Sequence, residues 1–212
     1  MAAKQKSGNN KLAMTLLKGR TFIVLIVLLI FFSITADNFL SAGALLTVAK
    51  HVALYGILAI GMTYVIITGG IDLSVGANAT FAACLAGMLM NKGMTNPVVL
   101  LLVAIVGGTL IGWVNGMLLT RLHLPHPFVS TLGMKNVLWG GALIVTNSQM
   151  VSFSGNDAVM WLGSATVGGF PISFIVVIAI YIVMHILLTK TALGRSIYCV
   201  GGNPEAARLS GI

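Results

Sequence analysis

The acidic complement of this sequence is four residues: Asp37, Asp72, Asp157 and Glu205. That leaves little room for paired-carboxylate chemistry. His123 and His126 stand three apart around Pro125, but no further ligand lies near them, so they do not form a metal set. His51 and His185 are isolated. Cys84 and Cys199 are far apart and have no metal-ligating neighbours, and no disulfide is expected between them. No phosphate-cradling G-x-x-x-x-G-K-[ST] segment occurs, so the chain has no ATPase site of its own. No catalytic residue, metal or cofactor is expected, and an intramembrane enzyme is the weakest reading.

The side chains that ask for an explanation are Asp72, Asn115, Lys135 and Asn136. Each lies in or beside a long apolar stretch. Polar groups placed there are costly in lipid and often mark a solute route. All four are therefore candidate pathway residues, and each also has a structural reading. Asp72 or Ser74 could cap the helix that starts at Val75. Lys135 lies about seven residues inside its span, ~10 Å along a helix, and could snorkel to the interface. A buried Asn115 would need a hydrogen-bond partner.

These residues sit in a chain that is 58% hydrophobic and only 8% charged over 212 residues. Its mean hydropathy is +1.02. Soluble domains carry roughly 25% charged residues, so the composition specifies an all-α polytopic membrane bundle. The net charge of +8 does not imply nucleic acid. The basic residues fall mainly between apolar runs, as membrane orientation requires, and no basic patch is interleaved with aromatics.

About six spans are expected between residues 21 and 189. A basic segment, 1–20, precedes the apolar run 22–34, which reads as an uncleaved first span rather than a secretory signal. Further spans are expected near 45–68, 74–90, 97–119, 128–146 and 171–189, each near the ~20 residues a bilayer needs. Gly69 and Gly70 interrupt the apolar character just before Asp72. Gly108, Gly112 and Gly116 recur every fourth residue and predict a close helix–helix approach. The segment 147–170 has no Lys or Arg, and 190–212 is polar.

Nine cations fall on one side of this arrangement: five in the N-terminal segment, then Arg121, Lys190, Arg195 and Arg208. The positive-inside rule then puts both ends in the cytoplasm and 147–170 outside. In the tail, Gly201 and Gly202 are expected to break the chain. Asn203 is a fitting N-cap, Pro204 suits the first helical position and Glu205 suits the positive end of a helix. Gly211 can end the short helix. Such a helix could lie on the membrane or dock into a partner's groove.

Three segments carry a family resemblance: AIGMTYVIITGGIDLSVG at 59–76, LPHPFVSTLGM at 124–134 and LGRSIYCVGGNPEAARLSGI at 193–212. The chain resembles the permease subunits of bacterial ATP-binding-cassette importers for monosaccharides, the ribose-permease-like group. The resemblance makes Gly70, Asp72, Leu73, Ser74 and Gly76 part of the family signature. It implies ATPase contact at Gly202, Asn203, Ala206, Ala207, Arg208, Leu209, Ser210 and Gly211. It further implies a separate ATPase subunit, an external sugar-binding protein, a second permease copy and a bacterial inner-membrane location. Two departures stand out: Trp139-Gly140 where the family often has Arg-Gly, and His126 where a small residue is usual. Family members continue past the position of Ile212 with more helices, so the resemblance implies a fragment. The alternative reading is a secondary transporter driven by an ion gradient, for which only Asp72 and Lys135 could serve as relays.

Overall fold

The computed structural model describes residues 20–122 and 126–212. The basic segment before Arg20 lies outside the described residues, as do His123 and Pro125. The chain divides into two compact units, 1–48 and 49–212. In the first, helix α1 covers Arg20–Thr35. A turn with Asn38 at φ 61° follows, and Phe39 packs 5.9 Å from Phe32. Ser41 then accepts from the Ala44 N–H as helix α2, Ala42–Ile67, begins.

The second unit holds the rest of α2, then α3 (Val75–Asn91), α4 (Pro97–Arg121), α5 (Pro127–Thr146), α6 (Asp157–Ser164), α7 (Ile172–Lys190), α8 (Ala192–Gly202) and α9 (Pro204–Leu209). Among the described residues, four helices, α2, α4, α5 and α7, are long and apolar enough to cross a membrane, and α1 and α3 are shorter apolar helices. The all-α polytopic bundle stands. A small addition is the antiparallel pair β1 (Thr166–Val167) and β2 (Phe170–Pro171), within the segment between α5 and α7. That segment also holds α6, capped by Asn156, whose side chain accepts from the Val159 N–H.

Helix α3 is the packing centre, and small residues make it so. Its buried positions are Ala77, Ala82, Ala86 and Gly87. Gly107 and Gly108 of α4 face Leu85 and Ala82, and Gly141 of α5 faces the Phe81 ring. Backbones can approach this closely only where side chains are small. Of the α4 glycine stripe, Gly108 and Gly112 face α3, whereas nothing lies close to Gly116. Elsewhere α2 meets α7: Gly56 lies against Val177, and the Tyr64 hydroxyl donates to the Met184 carbonyl at 2.6 Å. Most large apolar side chains on the long helices point outward, as lipid requires of a spanning bundle.

Candidate functional site

The site begins where α2 stops. Gly69 adopts φ +78°, a left-handed conformation that a side chain would strain. The chain turns there and presents Asp72 to the start of α3. The expected cap takes a different form. Asp72 accepts from the Ser74 N–H at 2.7 Å and from the Ser74 hydroxyl at 2.6 Å, both through Oδ1. Ser74 is the N-cap residue, but its side chain makes no capping bond to the first turn. The carboxylate holds the cap residue itself, because the Ser74 hydroxyl is committed elsewhere.

That commitment is a hydrogen-bonded chain through three helices. Asn115 of α4 donates from Nδ2 to the Ser74 hydroxyl at 3.2 Å. Ser130 of α5 donates to Asn115 Oδ1 at 3.4 Å. Ser74, Asn115 and Ser130 are all buried. Every donor in this line points the same way, from Ser130 through Asn115 and Ser74 to Asp72. Next to it, the fully buried Thr131 hydroxyl donates to the Pro127 carbonyl at 2.9 Å and lies 3.3 Å from the Ile71 carbonyl. One turn further along α3, Asn78 donates to the Gly108 carbonyl at 3.0 Å, while its Oδ1 is buried without a partner.

Asp72 and Asn115 are thus brought together. Lys135 and Asn136 are exposed on α5, and neither joins this chain. Ser130, Thr131 and Asn78 were not singled out from the sequence. Small hydroxyl and amide residues are common in apolar helices, and only packing tells which of them meet. His126 precedes α5 as its N-cap without a side-chain capping bond, and Pro127 occupies the first turn.

The tail departs from expectation at one point. Gly201 and Gly202 do not break the chain; α8 runs through both, and the break falls at Asn203. Helix continuity follows from packing: a methyl group at Gly201 would overlap the Ile67 carbonyl oxygen at the end of α2, so this face of α8 is pressed onto the loop that carries Asp72. Asn203 then caps α9, accepting from the Ala206 N–H at 3.1 Å. Gly211, at φ +79°, ends that helix. Of the proposed coupling residues, Ala207 is buried and anchors α9. Gly202, Asn203, Ala206, Arg208, Leu209, Ser210 and Gly211 are exposed, Leu209 to 82%. Arg208 pairs with Glu205 at 3.1 Å on the open face.

A multi-pass helical membrane protein with a polar junction at one end of a small-residue core is the class these observations define. The chain belongs to the family of branched-chain amino acid transport system permease components, whose profile matches residues 44–212. It is 35% identical to the fructose import permease protein FruF of Bifidobacterium longum, over 100% of this chain and 64% of that protein. It is 36% identical to the ribose import permease protein RbsC of Bacillus subtilis, over 90% of this chain and 59% of that one. It is 38% identical to the galactofuranose transporter permease protein YtfT of Escherichia coli, over 80% of this chain and 49% of that one. The chain therefore spans about half to two thirds of the length of these relatives. No solved structure matches it.

Proposed function

We propose that this chain is the membrane-spanning part of an importer that moves a simple sugar into the cytoplasm, with ATP hydrolysed by a separate subunit. The observation that carries the reading is the family match across 169 of the 212 residues, together with the similarity to relatives named for ribose, fructose and galactofuranose. The partners are an ATPase, an external sugar-binding protein and a second permease copy. Both ends of the chain face the cytoplasm, in the inner membrane. The exposed residues of α9 meet the ATPase, with Leu209 as the apolar contact and Asn203, Arg208 and Ser210 around it. Gly201, seated on the Ile67 carbonyl, passes movement of the tail to the loop holding Asp72. Alternating access is then a two-state change of helix packing biased by nucleotide. Asp72 and Asn115 act as the junction of that change, and Lys135 and Asn136 contribute to the solute route from the face of α5.

Two measurements test this. Uptake of labelled D-ribose and D-fructose is followed in proteoliposomes containing the permease, its ATPase and binding protein, with and without ATP. Uptake that persists without the ATPase and stops when a proton gradient is collapsed transfers the protein to the secondary transporters. For orientation, Cys199, which is exposed on α8, should resist a membrane-impermeant maleimide in intact cells and react in inverted vesicles. The opposite pattern puts the tail outside and removes the ATPase contact.

A further inference from the structure

Along the first half of α3, starting two residues past its first turn residue Val75, a cavity of about 350 Å³ opens between α3 and α5. Its lining runs along α3 from Ala77 to Cys84, ~10 Å of helix. Ligand pockets generally start at ~300 Å³, with apolar and aromatic walls and a few polar groups. Here the aromatic walls are Trp139 and Phe153, and the polar groups belong to Thr80, Thr146 and Gln149.

The roof of this cavity is built. Asn147 and Ser148 take positive φ, and the Ser148 N–H reaches back to the Leu143 carbonyl at 2.8 Å. This turns the chain over the end of α5. Val151 then lies so close to Gly87 that a methyl group on the glycine would overlap it, with Phe153 alongside. Asn156 fixes the far end of the segment by donating to the Thr95 carbonyl at 2.7 Å.

The polar groups in the cavity have hydrogen-bonding capacity to spare. The Gln149 side-chain amide and the Trp139 indole N–H, both on exposed residues, have no partner among the described residues. The Thr80 and Thr146 hydroxyls donate to their own helix, at 3.0 Å to Gly76 and 2.8 Å to Ala142, which leaves lone pairs able to accept. No charged side chain lines the cavity among the described residues. An amino acid zwitterion would have to leave water here without a counter-charge, which disfavours it. A ring-form monosaccharide meets the same walls at no such cost: its C–H face packs on an indole, and its hydroxyls both donate and accept.

We propose that this cavity is a binding subsite for a neutral monosaccharide, with Trp139 as the stacking platform and Gln149, Thr80 and Thr146 as its hydrogen-bonding groups. The assignment rests on the reading of the chain as a sugar permease, and it places substrate at the departure from the family's Arg-Gly pair. Cys84 lies in the wall and reports occupancy. Its alkylation by N-ethylmaleimide is followed by peptide mass mapping, which separates it from Cys199, in the complete transporter with D-ribose, D-fructose, D-galactose or L-leucine. At least one sugar should slow Cys84 alkylation threefold or more, and Trp139→Ala or Gln149→Ala should each abolish that protection while Cys84 still reacts. Protection by L-leucine alone overturns the ligand class. Absence of protection by every sugar, in a transporter that imports sugar, removes the subsite and leaves the transport reading intact. Failure to import any of the sugars removes both.

Discussion

The junction that starts α3 and the cavity between α3 and α5 use polar residues in opposite ways. At the Val75 end, Asp72, Ser74, Asn115 and Ser130 spend their hydrogen bonds on one another, and three of the four are buried. Beside Ala77–Cys84, Trp139 and Gln149 keep theirs unspent around a cavity. A polar group satisfied internally fixes the helices around it, and substrate has nothing to gain by replacing a partner already in place. Groups left unpaired beside open space are available to a ligand. The difference separates the structural junction from the binding candidate more sharply than polarity alone. Under the proposed function, Asn115 serves as a hinge pin of the junction.

The largest expected effect comes from the close contact that ties the tail to the junction. Gly201→Val drives a side chain into the Ile67 carbonyl, and overpacking of this kind typically costs ~1–3 kcal/mol. Either α8 moves off the loop or the loop carrying Asp72 shifts. Uptake should be lost, and ATP hydrolysis should no longer respond to the binding protein. Wild-type uptake in this variant would show that the tail does not act through Gly201.

Asn115→Leu follows. It removes the acceptor of the buried Ser130 hydroxyl and one of the two partners of Ser74, which still donates to Asp72, and an unsatisfied buried group costs ~1–3 kcal/mol. Single interhelical hydrogen bonds within membranes average only ~0.6 kcal/mol, so the unpaired Ser130 hydroxyl dominates the loss. Unfolding in mixed micelles should shift to lower denaturant by an amount within that range. A variant as stable as the parent would mean that the chain of hydrogen bonds does not hold the junction. Asn115→Asp sharpens the test: it replaces the donor to Ser74 by an acceptor, and Ser74 already donates to Asp72.

A smaller stability effect, with a larger functional one, is expected at the tail surface. Arg208→Glu breaks an exposed pair three residues apart, worth ~0.2–0.5 kcal/mol to the helix. The protein should remain folded, while coupling of ATPase to uptake falls. Equal coupling in variant and parent would remove Arg208 from the docking face. The smallest stability effect belongs to Lys135→Gln. Lys135 is exposed and outside both polar groupings, so stability should stay within about 0.5 kcal/mol. Uptake should fall severalfold, as expected of a residue on the solute route, and unchanged uptake would remove Lys135 from that route.

The helices were legible because lipid imposes length and apolarity on every span. The expected 97–119 and 128–146 became Pro97–Arg121 and Pro127–Thr146, with Pro at the start of each. The Asn203 cap and the Gly211 stop were likewise readable, since both are local rules of helix ends. Composition and a run of local signals thus determined, by themselves, an all-α membrane bundle with a short polar helix at the tail. What the sequence could not determine is which polar side chains meet. Ser130 and Asn115 are fifteen residues apart, and Gly201 and Ile67 are far more distant in the chain. The same holds for the roof that Val151 lays on Gly87. Pairings of that kind depend on helix rotation and on backbones approaching within a methyl group's width, and only the packed tertiary structure sets them.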